Sequence, residues 1–175
     1  MKKNLILAIF LIITLSEITF SQESKPKYNV FAFEQQITVP GTTIQIYDAM
    51  TGDISGWWDH SFSDKPYKLY IDAIPGGGFY EIFNAGGDGV KHATVIYSDR
   101  GKMIRFDGPL GLSGRAVQMV TTYEFTASGA DSTTVKVSVH AAGEIEDGLQ
   151  AIVEGVWHHF LVERFKPYIE SGNKN

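Results

Sequence analysis

The chain has 175 residues, 43% of them hydrophobic, 13% aromatic and 20% charged, with a formal charge of −5. That size and apolar content suit one globular domain with its own core. The negative charge and the lack of any Lys/Arg cluster argue against a nucleic-acid partner. There is no cysteine, which excludes disulfides, thiolate metal ligands, a cysteine nucleophile and lipid attachment through an N-terminal cysteine.

Residues 1–21 read as a signal peptide. Lys2 and Lys3 supply the positive start, and Leu5 to Leu15 form an apolar run broken only by Thr14. That run is about 11 residues, where a bilayer span needs ~20. Thr19-Phe20-Ser21 places small residues at −3 and −1, which predicts cleavage before Gln22. The expected protein is exported, periplasmic or secreted, with no stable membrane insertion after cleavage. Residues 22–27 read as a flexible tail, 28–171 as the domain and 172–175 as a C-terminal tail.

Tyr28 to Val39 alternates, with Phe31, Phe33, Ile37 and Val39 on the more apolar face, and predicts a strand. Pro40-Gly41 ends it. Thr42 or Thr43 then caps a short helix reaching about Met50. Gly52 to Trp58 reads as a second short helical turn or a loop. Its adjacent Trp57 and Trp58 cannot face one way on any regular element, so one is expected in the core and the other at a rim or entrance. Further strands are predicted at Pro66 to Asp72, Phe79 to Phe83, Val90 to Tyr97 and Lys102 to Phe106. Glycine-rich turns separate them at 75–78, 84–89 and 98–101. After a longer loop over 108–114, Ala116 to Ala127 and Thr133 to Ala141 form two long alternating strands. Val117, Met119, Tyr123, Phe125, Val135, Val137 and Val139 make up their buried face.

Glu146 to Ser171 closes the chain as a long helix. Leu149, Ile152, Val153, Val156, Trp157, Phe160, Leu161, Phe165, Tyr168 and Ile169 recur at spacings of three and four, giving one broad apolar stripe. Glu146 and Asp147 stand where the helix dipole favours carboxylates. One strand, two short helices, six strands and one long helix predict an α+β fold. Its antiparallel sheet of six to seven strands curves around the C-terminal helix and leaves a cleft between them.

Several stretches carry a resemblance. They are Val39-Pro40, Asp53-Ile54, Trp57-Trp58, the run Pro75 to Glu81, Val90 to Val95, Gly101 to Phe106, Gly108-Pro109-Leu110-Gly111, and the closing helix through Trp157. In this order they resemble the helix-grip fold of the START-like (SRPBCC) superfamily. Within it they are similar to bacterial homologues of the heat-shock-protein ATPase activator and to the polyketide cyclase group. The resemblance spans roughly Val30 to Ser171 and implies a cavity between sheet and helix. It does not choose among carriers, cyclases and adaptors.

The residues bound the chemistry. Gly111-Leu112-Ser113-Gly114-Arg115 lacks the second glycine of a nucleophile elbow. No phosphate-cradling loop and no His-Glu-x-x-His occurs. His158 and His159 point about 100° apart on a helix, and His60, His92 and His140 have no ligand spacing, so neither a metal nor another cofactor is expected. Glu81 shares a face with Phe79 and Phe83. If that face lines the cavity, burial favours its neutral form, and His92 and Arg105 on neighbouring strands are its candidate partners. Such a carboxylate can serve acid–base catalysis, orient a ligand or form a structural ion pair. The candidate ligand-binding residues are Trp57, Trp58, Phe79, Glu81, Phe83, His92, Arg105, Phe106, Met119, Tyr123, Val153 and Trp157, with Glu81 and His92 also the catalytic candidates. The leading expectation is non-catalytic binding or carriage of a small hydrophobic or aromatic molecule. The alternatives are a cyclase- or lyase-type enzyme using Glu81 and His92, and an adaptor binding a protein partner through the Trp57–Trp58 rim.

Overall fold

A computed structural model of the protein describes residues 27–173. The predicted signal segment and its cleavage point lie outside the described residues. Among those described, no helix is long and apolar enough to cross a membrane.

The elements run β1 (Tyr28–Pro40), α1 (Thr43–Met50), β2 (Gly52–Asp53), β3 (Lys68–Ile71), β4 (Gly78–Ile82), β5 (Gly89–Asp99), β6 (Met103–Asp107), β7 (Val117–Gly129), β8 (Ser132–Glu144), α2 (Leu149–His158), a π-helical segment (His159–Phe165) and α3 (Lys166–Glu170). All strands belong to one antiparallel sheet ordered β1-β8-β7-β6-β5-β4-β3-β2. It has eight strands rather than six or seven. The extra one is β2, which pairs Gly52 with Ile71 and Asp53 with Tyr70. Two residues are too few to show an alternation, so composition there reads as a turn.

Local rules account for the other elements. Thr42 caps α1 through its side chain, and Gln45 reaches back to the Thr42 backbone, a reciprocal capping box. The long strands bury Val117, Met119, Tyr123 and Phe125 on one face of β7 and Val135, Val137 and Val139 on the same face of β8, and turn Gln118, Glu124 and Lys136 outward. Two bulges break the pairing of β5. Phe79 pairs with Ala93 but Tyr80 with Lys91, leaving His92 as the extra residue. Val95 pairs with Phe106 but Tyr97 with Arg105, leaving Ile96 over. Bulges bend a strand and sharpen its twist, and here they help curl the sheet.

The last three segments form one helix of 22 residues. It starts at Leu149, later than Glu146, because Gly148 stands in a left-handed conformation at φ 87° and breaks the run before it. Glu146 and Asp147 therefore precede the helix, where they pair with Arg115 and Lys27. The helix buries Leu149, Val153, Trp157, Phe160, Leu161, Phe165 and Ile169 against the concave face of the sheet. Its C-terminal half packs onto Trp57, whose ring meets Phe165 edge-on at 4.9 Å.

Candidate functional site

A cavity of about 240 Å³ lies between the sheet and the first half of the closing helix. The sheet contributes Phe79, His92 and Met119. The helix contributes Leu149, Ile152, Val153, Val156, Trp157 and Phe160. Trp58 and His60 come from the segment after β2, and Leu110, Gly111 and Leu112 from the loop between β6 and β7. Nearly all these groups are apolar, so a bound molecule gains mainly by leaving water.

The two tryptophans divide, one into the core and one into the cavity wall rather than onto an exposed rim. Trp57 is 2% exposed, donates its indole N–H to the Ala49 carbonyl at 3.1 Å and plugs the core beneath α1. Trp58 walls the cavity, stacked on Phe160 at 3.7 Å and edge-on to Phe79 at 4.9 Å, its N–H given to the His60 carbonyl. Both are buried, so the pair presents no exposed apolar rim for an adaptor.

Glu81 and His92 are brought together; Arg105 is not. Glu81 is 0% exposed and points inward from β4 beside Phe79. Its carboxylate accepts the backbone N–H of Phe62 at 3.0 Å and of Ser63 at 2.7 Å, and the His92 Nε2–H at 3.1 Å. It thus clamps the loop after Trp58 over the sheet and does not itself line the cavity. An ionised carboxylate only accepts, so His92 must donate through Nε2. The imidazole is sandwiched between Phe62 and Phe79, and it lines the cavity. The bulge explains its direction, since His92 and Ala93 are consecutive yet both buried.

Arg105 lies on the outer face with Met103 and Asp107, because Ile104 and Phe106 take the inward positions of β6. It donates to Thr122 Oγ1 at 2.9 Å and cannot reach Glu81 from there. Phe83 falls one residue beyond β4 and is 36% exposed, away from the cavity. Phe106 and Tyr123 sit deeper, under Trp58 and Trp157. The lining by Leu110 and Leu112 was hidden in a segment that reads as plain loop. Gly108 permits that loop its path, since a Cβ there would stand 2.6 Å from Ala93 Cα. Leu110 then adopts φ 51°, costly for a residue with a Cβ, and is held there by burial against the cavity.

At the mouth, Asp59, His60 and His159 bring three potential ligand atoms within 4.8 Å of one another. No sequence spacing links residues 60 and 159; the fold alone joins them. These groups have the donor types for a divalent cation. They are also balanced without one. Asp59 accepts from His60 Nδ1 at 3.0 Å and His159 Nε2 at 3.0 Å, and pairs with Arg164 Nε at 3.1 Å, while Glu163 holds His159 Nδ1 at 2.9 Å. The hydrogen bond to Glu163, then that to Asp59, raises the His159 pKa above 6.5. For Asp59, burial pushes upward, but the bonds from His60 and His159 outweigh it and hold the carboxyl below 3.8.

With this geometry in view, the chain can be set against known proteins. No protein-family profile matches it, and no curated protein is detectably similar in sequence. Solved structures do match. The fold is shared with Aha1 from Colwellia psychrerythraea. That dimer's solution structure superposes with a TM-score of 0.56 at 17% identity, over 82% of this chain and 98% of that one. A conserved protein of unknown function from Enterococcus faecalis matches at TM-score 0.58 and 11% identity, over 86% and 80% of the two chains. DynU16, a putative protein of the dynemicin biosynthetic locus, matches at 0.54 and 18% identity over 81% of this chain and 48% of its own. At these identities the likeness speaks for the fold, and it supports a START-like one.

Proposed function

We propose that this chain is an exported START-like domain that binds or carries a small hydrophobic or aromatic molecule in the cavity between sheet and closing helix, without transforming it. The observation that carries the reading is the cavity itself: about 240 Å³ walled by Trp58, Phe79, Met119, Val153, Trp157 and Phe160. An apolar void of ~150 Å³ holds one benzene. By that measure this one takes about ten non-hydrogen atoms, a bicyclic aromatic. Such a ligand, gaining roughly 0.6 kcal/mol per atom, would bind with a Kd of roughly 40 µM. Glu81 supports the same reading. Its carboxylate is committed to two backbone N–H groups and His92, which leaves it a scaffold role.

The test is calorimetric titration with naphthalene and 2-naphthol, read beside tryptophan fluorescence. Val153→Trp places an indole in the void. The expected result is micromolar binding that Val153→Trp abolishes while the melting temperature holds. Binding unaffected by Val153→Trp would place the ligand elsewhere and defeat the proposal. The cyclase- or lyase-type reading keeps one observation in its favour, the imidazole of His92 at the cavity wall with Glu81 behind it. Turnover of a polyketide-like substrate that His92→Gln stops would establish it.

A further inference from the structure

Beneath the main cavity lies a second, much smaller void of about 10 Å³, the room of about one water or one oxygen-bearing group. The two share four walls: Trp58, Phe79, Leu110 and Trp157. The small chamber also has two polar residues in its lining, Thr121 and Tyr123, which point inward from alternate positions of β7.

Neither hydroxyl is accounted for by the protein. Thr121 is 1% exposed, and its Oγ1 is the one buried side-chain oxygen or nitrogen without a hydrogen-bond partner among the described residues. Tyr123 is 3% exposed, and burial alone drives its hydroxyl pKa well upward, with no hydrogen bond opposing. A hydroxyl buried without a partner is costly. Valine would fill the Thr121 position with about the same volume and no such penalty. Both residues line a void that adjoins a ligand-sized apolar cavity.

Charge is missing from this end. Arg105 is on the outer face of the sheet, and Glu81 and His92 are engaged with each other. A carboxylate, phosphate or ammonium placed here would be buried without a counter-charge.

Resting on the carrier reading above, we infer that the ligand is a neutral, mostly apolar molecule with a single carbonyl or hydroxyl oxygen at its leading end, and that this oxygen seats between Thr121 and Tyr123 while the apolar body fills the main cavity. A hydroxyl both donates and accepts, so the chamber takes a ketone or aldehyde as readily as a phenol or alcohol.

Three probes with one ring system test this: naphthalene, 2-naphthol and 2-naphthoate, titrated into the wild type, Thr121→Val, Tyr123→Phe and the double variant and followed by tryptophan fluorescence. In the wild type 2-naphthol is expected to bind about tenfold more tightly than naphthalene, the scale of one satisfied buried hydrogen bond, and 2-naphthoate more weakly than both. Thr121→Val and Tyr123→Phe are each expected to shrink the ratio of naphthol to naphthalene affinity. Ligand-free Thr121→Val is expected to melt above the wild type, since it removes an unpartnered buried oxygen, which also checks that the variant folds. Equal affinity for naphthalene and 2-naphthol, an advantage that survives in the double variant, or tightest binding of 2-naphthoate would overturn the inference while leaving the carrier reading in place. No binding of any probe would remove the carrier reading, and this inference with it.

Discussion

Glu81 shows how one residue can be read correctly in place and differently in role. Its alternation with Phe79 predicts an inward carboxylate, and it is inward. Only one of its three partners was legible. His92 is one, but the other two are backbone N–H groups of Phe62 and Ser63, which no side-chain pattern announces. Glu81→Gln exchanges an acceptor-only group for one with two donors facing those N–H groups. A loss of about 2–3 kcal/mol in urea unfolding is expected, with faster amide exchange at Phe62 and Ser63; an unchanged midpoint would show that the clamp contributes little. At the mouth, the raised pKa of His159 and the lowered one of Asp59 set opposite limits. The His159 contribution is complete below 6.5 and is lost as pH rises through the raised value. That of Asp59 is present above 3.8 and is lost as pH falls through the lowered value. His159→Gln is therefore expected to lower the melting temperature most between about pH 4 and 6.5, by about 1–3 °C for a partly exposed pair. The difference should fade in mildly alkaline buffer, as differential scanning calorimetry across pH would reveal.

Among the elements, the closing helix carries a signal that three-and-four spacing conceals. Six of its seven buried residues, Leu149, Val153, Trp157, Leu161, Phe165 and Ile169, fall on every fourth position, with Phe160 the seventh. On a helix of 3.6 residues per turn that row drifts by ~40° at each step. The π-helical segment His159–Phe165 widens the turn and takes out part of the drift, so the row stays on the sheet. A strict period of four was in the sequence; its meaning depended on knowing that the sheet surface is long enough to demand it. Leu161, 1% exposed, stands inside this segment. Leu161→Ala is expected to cost about 3 kcal/mol by denaturant unfolding, whereas truncating exposed Ile152, at 65%, should cost under about 0.5 kcal/mol. The bulges of β5 were less legible. Strand periodicity counts in twos, and a single extra residue at His92 or Ile96 resets the count without leaving a mark in composition.

For the molecule as a whole, the order of elements foretells the helix held in a curved sheet, because consecutive strands with short turns have few ways to pair. What it leaves out is whatever distant segments build jointly: the cluster of Asp59, His60 and His159, the wall made by Leu110 and Leu112, and the placing of Arg105 on the outer face. The closing helix is also two-sided along its length. From Leu161 onward its inward side chains are almost fully enclosed, while the stretch from Leu149 to Val156 borders the void and leaves Ile152 in solvent. If the proposed carriage holds, traffic into the interior would pass beneath the leading turns, with the trailing turns as a fixed mount and the widened π-helical stretch as the joint. Amide exchange should report it: slow, near-global protection at 161–169, faster opening at 149–156, and selective slowing of the latter when a guest is bound. Uniform protection along the rod would mean that the doorway is elsewhere.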